Sequence, residues 1–161
     1  MKKIILMRHA KSDWANSELT DHQRPLNNRG KRDGPRMGTQ ILEKGIIPEV
    51  LLVSDAQRTK DTWELINEYF PSAKTIFLPE LYLASADTIA HIISEVDDLI
   101  DTILVLAHNP GITEAFSLLA NVKIDNVPTS GFGCITYETD KFSEILNSRS
   151  RLDYFIYPKM L

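Results

Sequence analysis

The feature that most constrains this chain is a set of short apolar runs, each closed abruptly by a polar or charged residue. Ile4–Met7 is wholly apolar and stops at Arg8. Val50–Val53 stops at Ser54, and Thr102–Ala107, rich in Ile, Val and Leu, stops at His108. Ile135–Tyr137, with Gly133 just upstream, is a fourth run, and Lys74–Leu78 is a weaker fifth. Runs this short, without polar alternation, fit strands buried on both faces. Between them lie apolar residues at helical spacing: Met37, Ile41 and Leu42; Trp63, Leu65, Ile66, Tyr69 and Phe70; Ile89, Ile92, Ile93 and Val96; Ile112, Ala115, Phe116, Leu118 and Leu119. Pro71 stops the second of these helices. Gly34-Pro35 marks either the start of the first or a kink in it. Strands alternating with helices predict an α/β three-layer sandwich, a mostly parallel central sheet with helices on both faces. Arg24–Arg32 and Asn121–Gly133 read as loops, and Leu152–Leu161 reads as an added edge strand stopping at Pro158.

A chain of 161 residues is expected to form one domain, residues 1–161, and no repeat, low-complexity tract or linker interrupts it. With 43% apolar and 25% charged residues it has the composition of a folded protein with a real core. One cysteine, Cys134, makes neither an internal disulfide nor a multi-cysteine zinc site. No apolar run approaches the ~18 residues of a membrane span. Arg8-His9 ends the first run before the apolar segment of a signal peptide is complete, so a cytoplasmic protein is expected.

Charge is unevenly spread. Residues 1–36 hold nine basic residues against four acidic ones, in a chain whose net charge is −4. The excess is either ordinary solvated surface or a local positive field for an anionic ligand. Nucleic acid is a poor candidate, because the whole chain is acidic and no basic stripe interleaves with aromatics.

In open α/β sheets, ligands bind beyond the carboxyl ends of the strands. Arg8-His9 follows the first run, Ser54 to Thr59 with Arg58 follows the second, and His108-Asn109-Pro110-Gly111 follows the third. A lone histidine there is usually structural, and a lone arginine is usually solvated. Their joint placement on strands that share one sheet edge brings them toward a single pocket. Two guanidiniums and two imidazoles suit a phosphoryl group: arginine makes bidentate bonds to its oxygens, and a neutral imidazole attacks phosphorus. The nucleotide-binding glycine loop and the serine elbow motif are both absent. Cys134 lies inside an apparent strand with Asp140, not arginine, six positions later, so it reads as a small buried residue. His22 and His91 have no close His, Cys or paired carboxylate in sequence, and no metal site is expected.

These segments resemble the histidine phosphatase superfamily, the phosphoglycerate mutase-like fold. Leu6-Met7-Arg8-His9-Ala10-Lys11-Ser12 resembles its Arg-His-Gly signature, with Ala10 in place of glycine. Ser54 to Thr62 is similar to its second arginine segment, and His108-Asn109-Pro110-Gly111 to its second histidine segment. Arg24-Pro25-Leu26-Asn27-Asn28-Arg29-Gly30 resembles the SixA-type phosphohistidine phosphatase branch. The resemblance runs from Lys3 to about Tyr137. It implies His9 as a transiently phosphorylated nucleophile, Arg8 and Arg58 as phosphate-binding arginines, and His108 as a second phosphate-binding histidine. Arg24 falls where this branch places another basic residue, and Glu80 where many members keep the acid that protonates the leaving group. An asparagine that contacts phosphate in mutase-like members is replaced by Ala15, and Asn16 is one place off. The implied activity is a metal-independent phosphatase without cofactors. Its substrate is a phosphohistidine protein or a small phosphomonoester, its pocket accepts phosphate or sulfate, and neither nucleic acid nor membrane is a partner. A phosphate-binding module without catalysis is the reading from another class.

Overall fold

The computed structural model describes residues Met1–Leu161. Six strands form one sheet: β1 Lys2–Arg8, β2 Val50–Ser54, β3 Lys74–Leu78, β4 Thr102–Ala107, β5 Phe132–Tyr137 and β6 Ser150–Ile156. Their spatial order is β3-β2-β4-β1-β5-β6. The first four are parallel neighbours, β5 runs antiparallel to β1, and β6 antiparallel to β5. Helices α1 Asn28–Glu43, α2 Gln57–Ile66, α3 Ala86–Ser94 and α4 Gly111–Ala120 complete the three layers. No helix is long and apolar enough to cross a membrane.

The wholly apolar runs are the central strands because both faces are covered. Ile5 and Met7 of β1, with Leu104 and Leu106 of β4, pack against Met37 and Ile41 of α1 and Ile66 of α2. The alternate residues Ile4, Leu6, Ile103 and Val105 pack against Ile89 and Ile93 of α3 and Phe116 of α4. Strand side chains alternate faces, so each run feeds two cores, and each fully buried Leu or Ile contributes about 2 kcal/mol. The mixed β3 and β6 are the sheet edges. Cys134 is buried in β5 as expected.

Three local expectations are corrected. Helix α1 does not begin at Pro35; it starts at Asn28 and carries Pro35 inside, which leaves the kink as the reading that fits. The Asn27 side chain accepts from Gly30 N at 2.9 Å, a strong N-cap that moves the start into the stretch read as loop. That loop therefore ends at Asn27, and the other, after α4, ends at Phe132 where β5 begins. The edge strand β6 begins at Ser150 and ends at Ile156, before a short turn at Pro158–Met160.

Parallel pairing sets the site. β2, β4 and β1 are adjacent and point the same way, so their carboxyl ends place Ser54, His108 and Arg8-His9 side by side. Helices α2 and α4 start directly after β2 and β4, so the positive ends of their dipoles face that same edge.

Candidate active site

His9 leaves β1 as it ends, and its backbone is held on both sides. Its N–H donates to Ala107 O at 3.1 Å, and its carbonyl accepts from Ser130 N at 2.9 Å. Ser130 has φ 64, a left-handed conformation uncommon for a serine, in the Pro128–Gly131 turn that brings this N–H to His9. The next residue is tied to α2: Ala10 N donates to Thr62 Oγ1 at 3.0 Å. The imidazole Nδ1 lies 2.6 Å from Ala10 O, so Nδ1 carries the proton and donates. That leaves Nε2 unprotonated, and its lone pair accepts from Arg58 Nε at 3.3 Å. Burial lowers the His9 pKa to about 3 against the raising effect of the Ala10 carbonyl, and His108, Arg58 and Arg8 push it the same way. His9 is therefore a neutral imidazole with Nε2 facing a cluster of cations.

His108 follows β4, with its ring centroid 5.3 Å from that of His9. Its Nε2 is 2.7 Å from Ser54 Oγ, at the end of β2, and its Nδ1 is buried without a partner. Burial first, then the Arg58 charge, lowers its pKa to about 3. Arg8 donates through Nη1 to Val127 O at 3.1 Å, and its Nε is buried and unpaired. Burial and then Arg58 lower its pKa. Arg58, in the first turn of α2, is 3% exposed.

Arg24 comes from the loop before α1 and joins the cluster. It is 7% exposed, and its guanidinium carbon lies 3.3 Å from the ring centre of Trp14. It donates to Asp21 Oδ1 at 2.6 Å and Ser12 Oγ at 3.3 Å, while its Nε is buried and unpaired. A cleft of about 160 Å³ is lined by Arg8, His9, Arg24, Arg58 and His108 together with Lys11, Ser12, Trp14, Asn109 and Thr129. No carboxylate lines it. Apart from Ser130 Oγ, every buried side-chain N or O atom left without a partner belongs to Arg8, Arg24 or His108 of this cleft. Unmade donors cost free energy unless a ligand takes them, and the three residues that carry these atoms all line the one cleft.

Glu80 is not brought to this cleft. It lies exposed in a 3₁₀ turn, Pro79–Leu81, and lines a separate groove of about 610 Å³ with Ile76, Leu78, Ile92 and Val96. Its neighbour Tyr82 turns toward the site instead, with its ring 5.4 Å from that of His108 and its hydroxyl donating to Asp21. Asp21 is the residue that sequence reasoning missed. It accepts from Arg24, Arg58 and Tyr82, and these bonds outweigh burial to hold its carboxyl well below the usual carboxylate range. Ser54, Tyr82 and Thr129 were missed as well. The one signal within reach was the position of Asp21, three residues before Arg24, which suits an ion pair within a single turn. His22 and His91 each find one carboxylate, Asp55 at 3.0 Å and Glu95 at 2.8 Å. Asn16 accepts from Glu18 N on the exposed loop, and neither it nor Ala15 lines the cleft.

Known proteins share the sequence pattern of the first half of the chain and share its fold. The family model described as histidine phosphatase superfamily (branch 1) matches residues 4–82. An uncharacterized chloroplastic protein of Arabidopsis thaliana is 33% identical over 133 residues, which cover 76% of this chain and 61% of that protein. The chain thus spans under two thirds of that relative's length. An uncharacterized protein of Mycobacterium tuberculosis is 28% identical over 139 residues, covering 80% of this chain and 85% of that one. Among solved structures, a SixA structure from Agrobacterium tumefaciens superimposes with a TM-score of 0.85 at 21% identity, covering 98% of each chain. The protein histidine phosphatase SixA complexed with tungstate gives 0.83 at 18% identity, again covering 98% of each. A mycobacterial glucosyl-3-phosphoglycerate phosphatase complexed with VO3 gives 0.71 at 13%, covering 96% of this chain and 98% of that one. At these identities the structural likeness concerns the fold.

Proposed function

We propose that the chain, whose residues 4–82 match the histidine phosphatase superfamily model, is a member that hydrolyses phosphohistidine on a protein, through a phosphohistidine intermediate on its own His9. The observation that carries this reading is the cleft itself: a neutral His9 with an unprotonated Nε2, three guanidiniums and His108, with no carboxylic acid among the lining residues. The reading takes residues 1–161 as one domain, since a single sheet spans the matched segment and the strands beyond it.

Substrate phosphoryl oxygens take the N–H groups left free on Arg8, Arg24 and Arg58. Arg58 Nε–H turns from His9 Nε2 to a phosphoryl oxygen, and the released Nε2 lone pair attacks phosphorus in line. A new N–P bond forms, and the bond from phosphorus to the leaving group breaks, its electron pair going with that group. Water then attacks phosphorus, the His9 N–P bond breaks, and inorganic phosphate leaves. Charge spreads over the equatorial oxygens in each transition state, so fixed cations supply most of the stabilisation. With its Nε2 accepting from the Ser54 hydroxyl, His108 presents Nδ1–H to one of these oxygens. An alkoxide leaving group needs a proton, worth about 10²–10⁴-fold when an acid supplies it. An imidazole needs that help less, and a cleft without a carboxylic acid favours it. The glucosyl-3-phosphoglycerate phosphatase likeness keeps small phosphomonoesters as the comparison arm.

The test is a substrate panel with a phosphohistidine-bearing carrier protein, p-nitrophenyl phosphate and sugar phosphates. The account expects the carrier protein to give the highest kcat/KM. Faster turnover of a sugar phosphate would move the protein to the phosphomonoesterases, and phosphate binding without turnover of any substrate would make it a binding module.

A further inference from the structure

We propose that Asp21 is a positioning residue: clasped by Arg24, Arg58 and Tyr82, it fixes both guanidinium forks so that their remaining N–H groups face the cleft. This rests on the phosphatase reading above and names a part of the site that the resemblance does not supply. Asp21 Oδ1 accepts from Arg24 Nη2 at 2.6 Å, and Oδ2 accepts from Arg58 Nη2 at 3.1 Å. The Asp21 backbone carbonyl takes Arg58 Nη1 at 2.8 Å. Arg58 also gives Nε–H to His9, so three of the five N–H bonds of a guanidinium have protein partners and two remain. Arg24 keeps its Nε unpaired.

Two observations separate this role from an internal anion competing with substrate. First, the cleft is lined by Arg24 and Arg58 but not by Asp21, so the carboxylate meets the forks from outside the cleft. Second, Asp21 does not sit on a free arm. Its turn is closed by Gln23 N to Thr20 O at 3.0 Å, Arg24 N to Asp21 O at 3.2 Å and Thr20 N to Gln23 Oε1 at 3.0 Å. A side chain on so short and tied a turn holds what it touches. Arginine loses less freedom per bond when its planar fork is already held, and a misplaced fork loses its bidentate geometry.

The experiment exploits a sign. Coulomb's law alone says that removing a negative charge beside an anion site tightens anion binding. The positioning role predicts the opposite. Asp21→Asn keeps the size, but its amide nitrogen cannot accept, so one guanidinium is released. Relative to wild type, kcat/KM for p-nitrophenyl phosphate falls at least about tenfold, mainly in kcat, as for a weakened oxyanion donor. Affinity for inorganic phosphate, read by calorimetry, also falls. Tyr82→Phe removes one bond to the same carboxylate without changing charge, and it shifts both readouts the same way by about two- to fivefold; it carries the test if Asp21→Asn does not fold. Tighter phosphate binding with kcat retained in Asp21→Asn, or no change in either readout for Tyr82→Phe, overturns the proposal while leaving the phosphatase reading intact. Wild-type protein that neither hydrolyses p-nitrophenyl phosphate nor binds phosphate overturns both.

Discussion

The site has two halves built by different means. Arg8, His9, Arg58 and His108 stand at or just past the ends of β1, β2 and β4, where parallel pairing dictates their neighbours. Arg24, Asp21 and Trp14 ride on the segment between β1 and α1, which is held by local turn bonds such as Arg24 N to Asp21 O, by one isolated bridge, Ser12 with Leu26, and by side-chain bonds rather than by the sheet. In the first half the backbone does the placing: the ladder and the Ala107 and Ser130 contacts hold His9 before any ligand arrives. In the second, each cation is aimed by another side chain. In the proposed mechanism the sheet thus carries the nucleophile and most of the phosphate ligands, and the loop adds Arg24 together with the side chains that aim it.

The sharpest way to break that division is Arg58→Ala. It removes the Nε–His9 bond and both links to Asp21, so it strips the strand-end half of a cation and the loop of its anchor. The barrier is expected to rise by at least ~2 kcal/mol, roughly 30-fold in kcat/KM, as when one oxyanion donor is lost. Unchanged steady-state kinetics would remove Arg58 from the site.

Next in size is a pH effect confined to the strand-end half. Unfolded histidines bind protons near 6.5, whereas His9 and His108 stay neutral down to about 3 in the folded protein. Between those values the unfolded chain binds more protons, so stability falls as pH drops from about 6.5 toward 3. The slope is on the order of 1 kcal/mol per pH unit, and urea unfolding at pH 7 and pH 5, where most carboxylates remain ionised, measures it. Equal midpoints at both would mean that these imidazoles are not buried neutral.

The smallest effect is expected at Glu80, which belongs to neither half. Glu80→Gln should leave kcat/KM for every substrate of the panel within about twofold, because an exposed carboxylate outside the cleft donates no proton there. A tenfold loss confined to alkyl phosphates would restore it as the acid.

The same contrast explains what the residues revealed in advance. Arg8, His9, Arg58 and His108 were legible because a buried parallel strand has an unmistakable pattern and its end is where ligands bind. The three layers followed from the same runs. Asp21 and Tyr82 were not, because no period marks a residue whose role is to hold another side chain across 37 or 61 positions of chain. Glu80 failed for a local reason. A 3₁₀ turn has three residues per turn, so successive side chains diverge by roughly 120°; Leu81 goes into the core, Tyr82 toward His108, and Glu80 outward. The start of α1 was not fixed at Pro35 because the Asn27 cap and the packing of Met37 and Ile41 outweigh one missing hydrogen bond, so the helix begins earlier and runs through the proline.

The central claim is that His9 Nε2 forms a bond to phosphorus. Brief exposure of the protein to a phosphoryl donor, followed by quenching at alkaline pH and peptide mass mapping, tests it directly. The account predicts an acid-labile phosphoryl group on the peptide containing His9, absent from His9→Ala, which also has no turnover. A phosphoryl group on another residue, or full activity in His9→Ala, would contradict it.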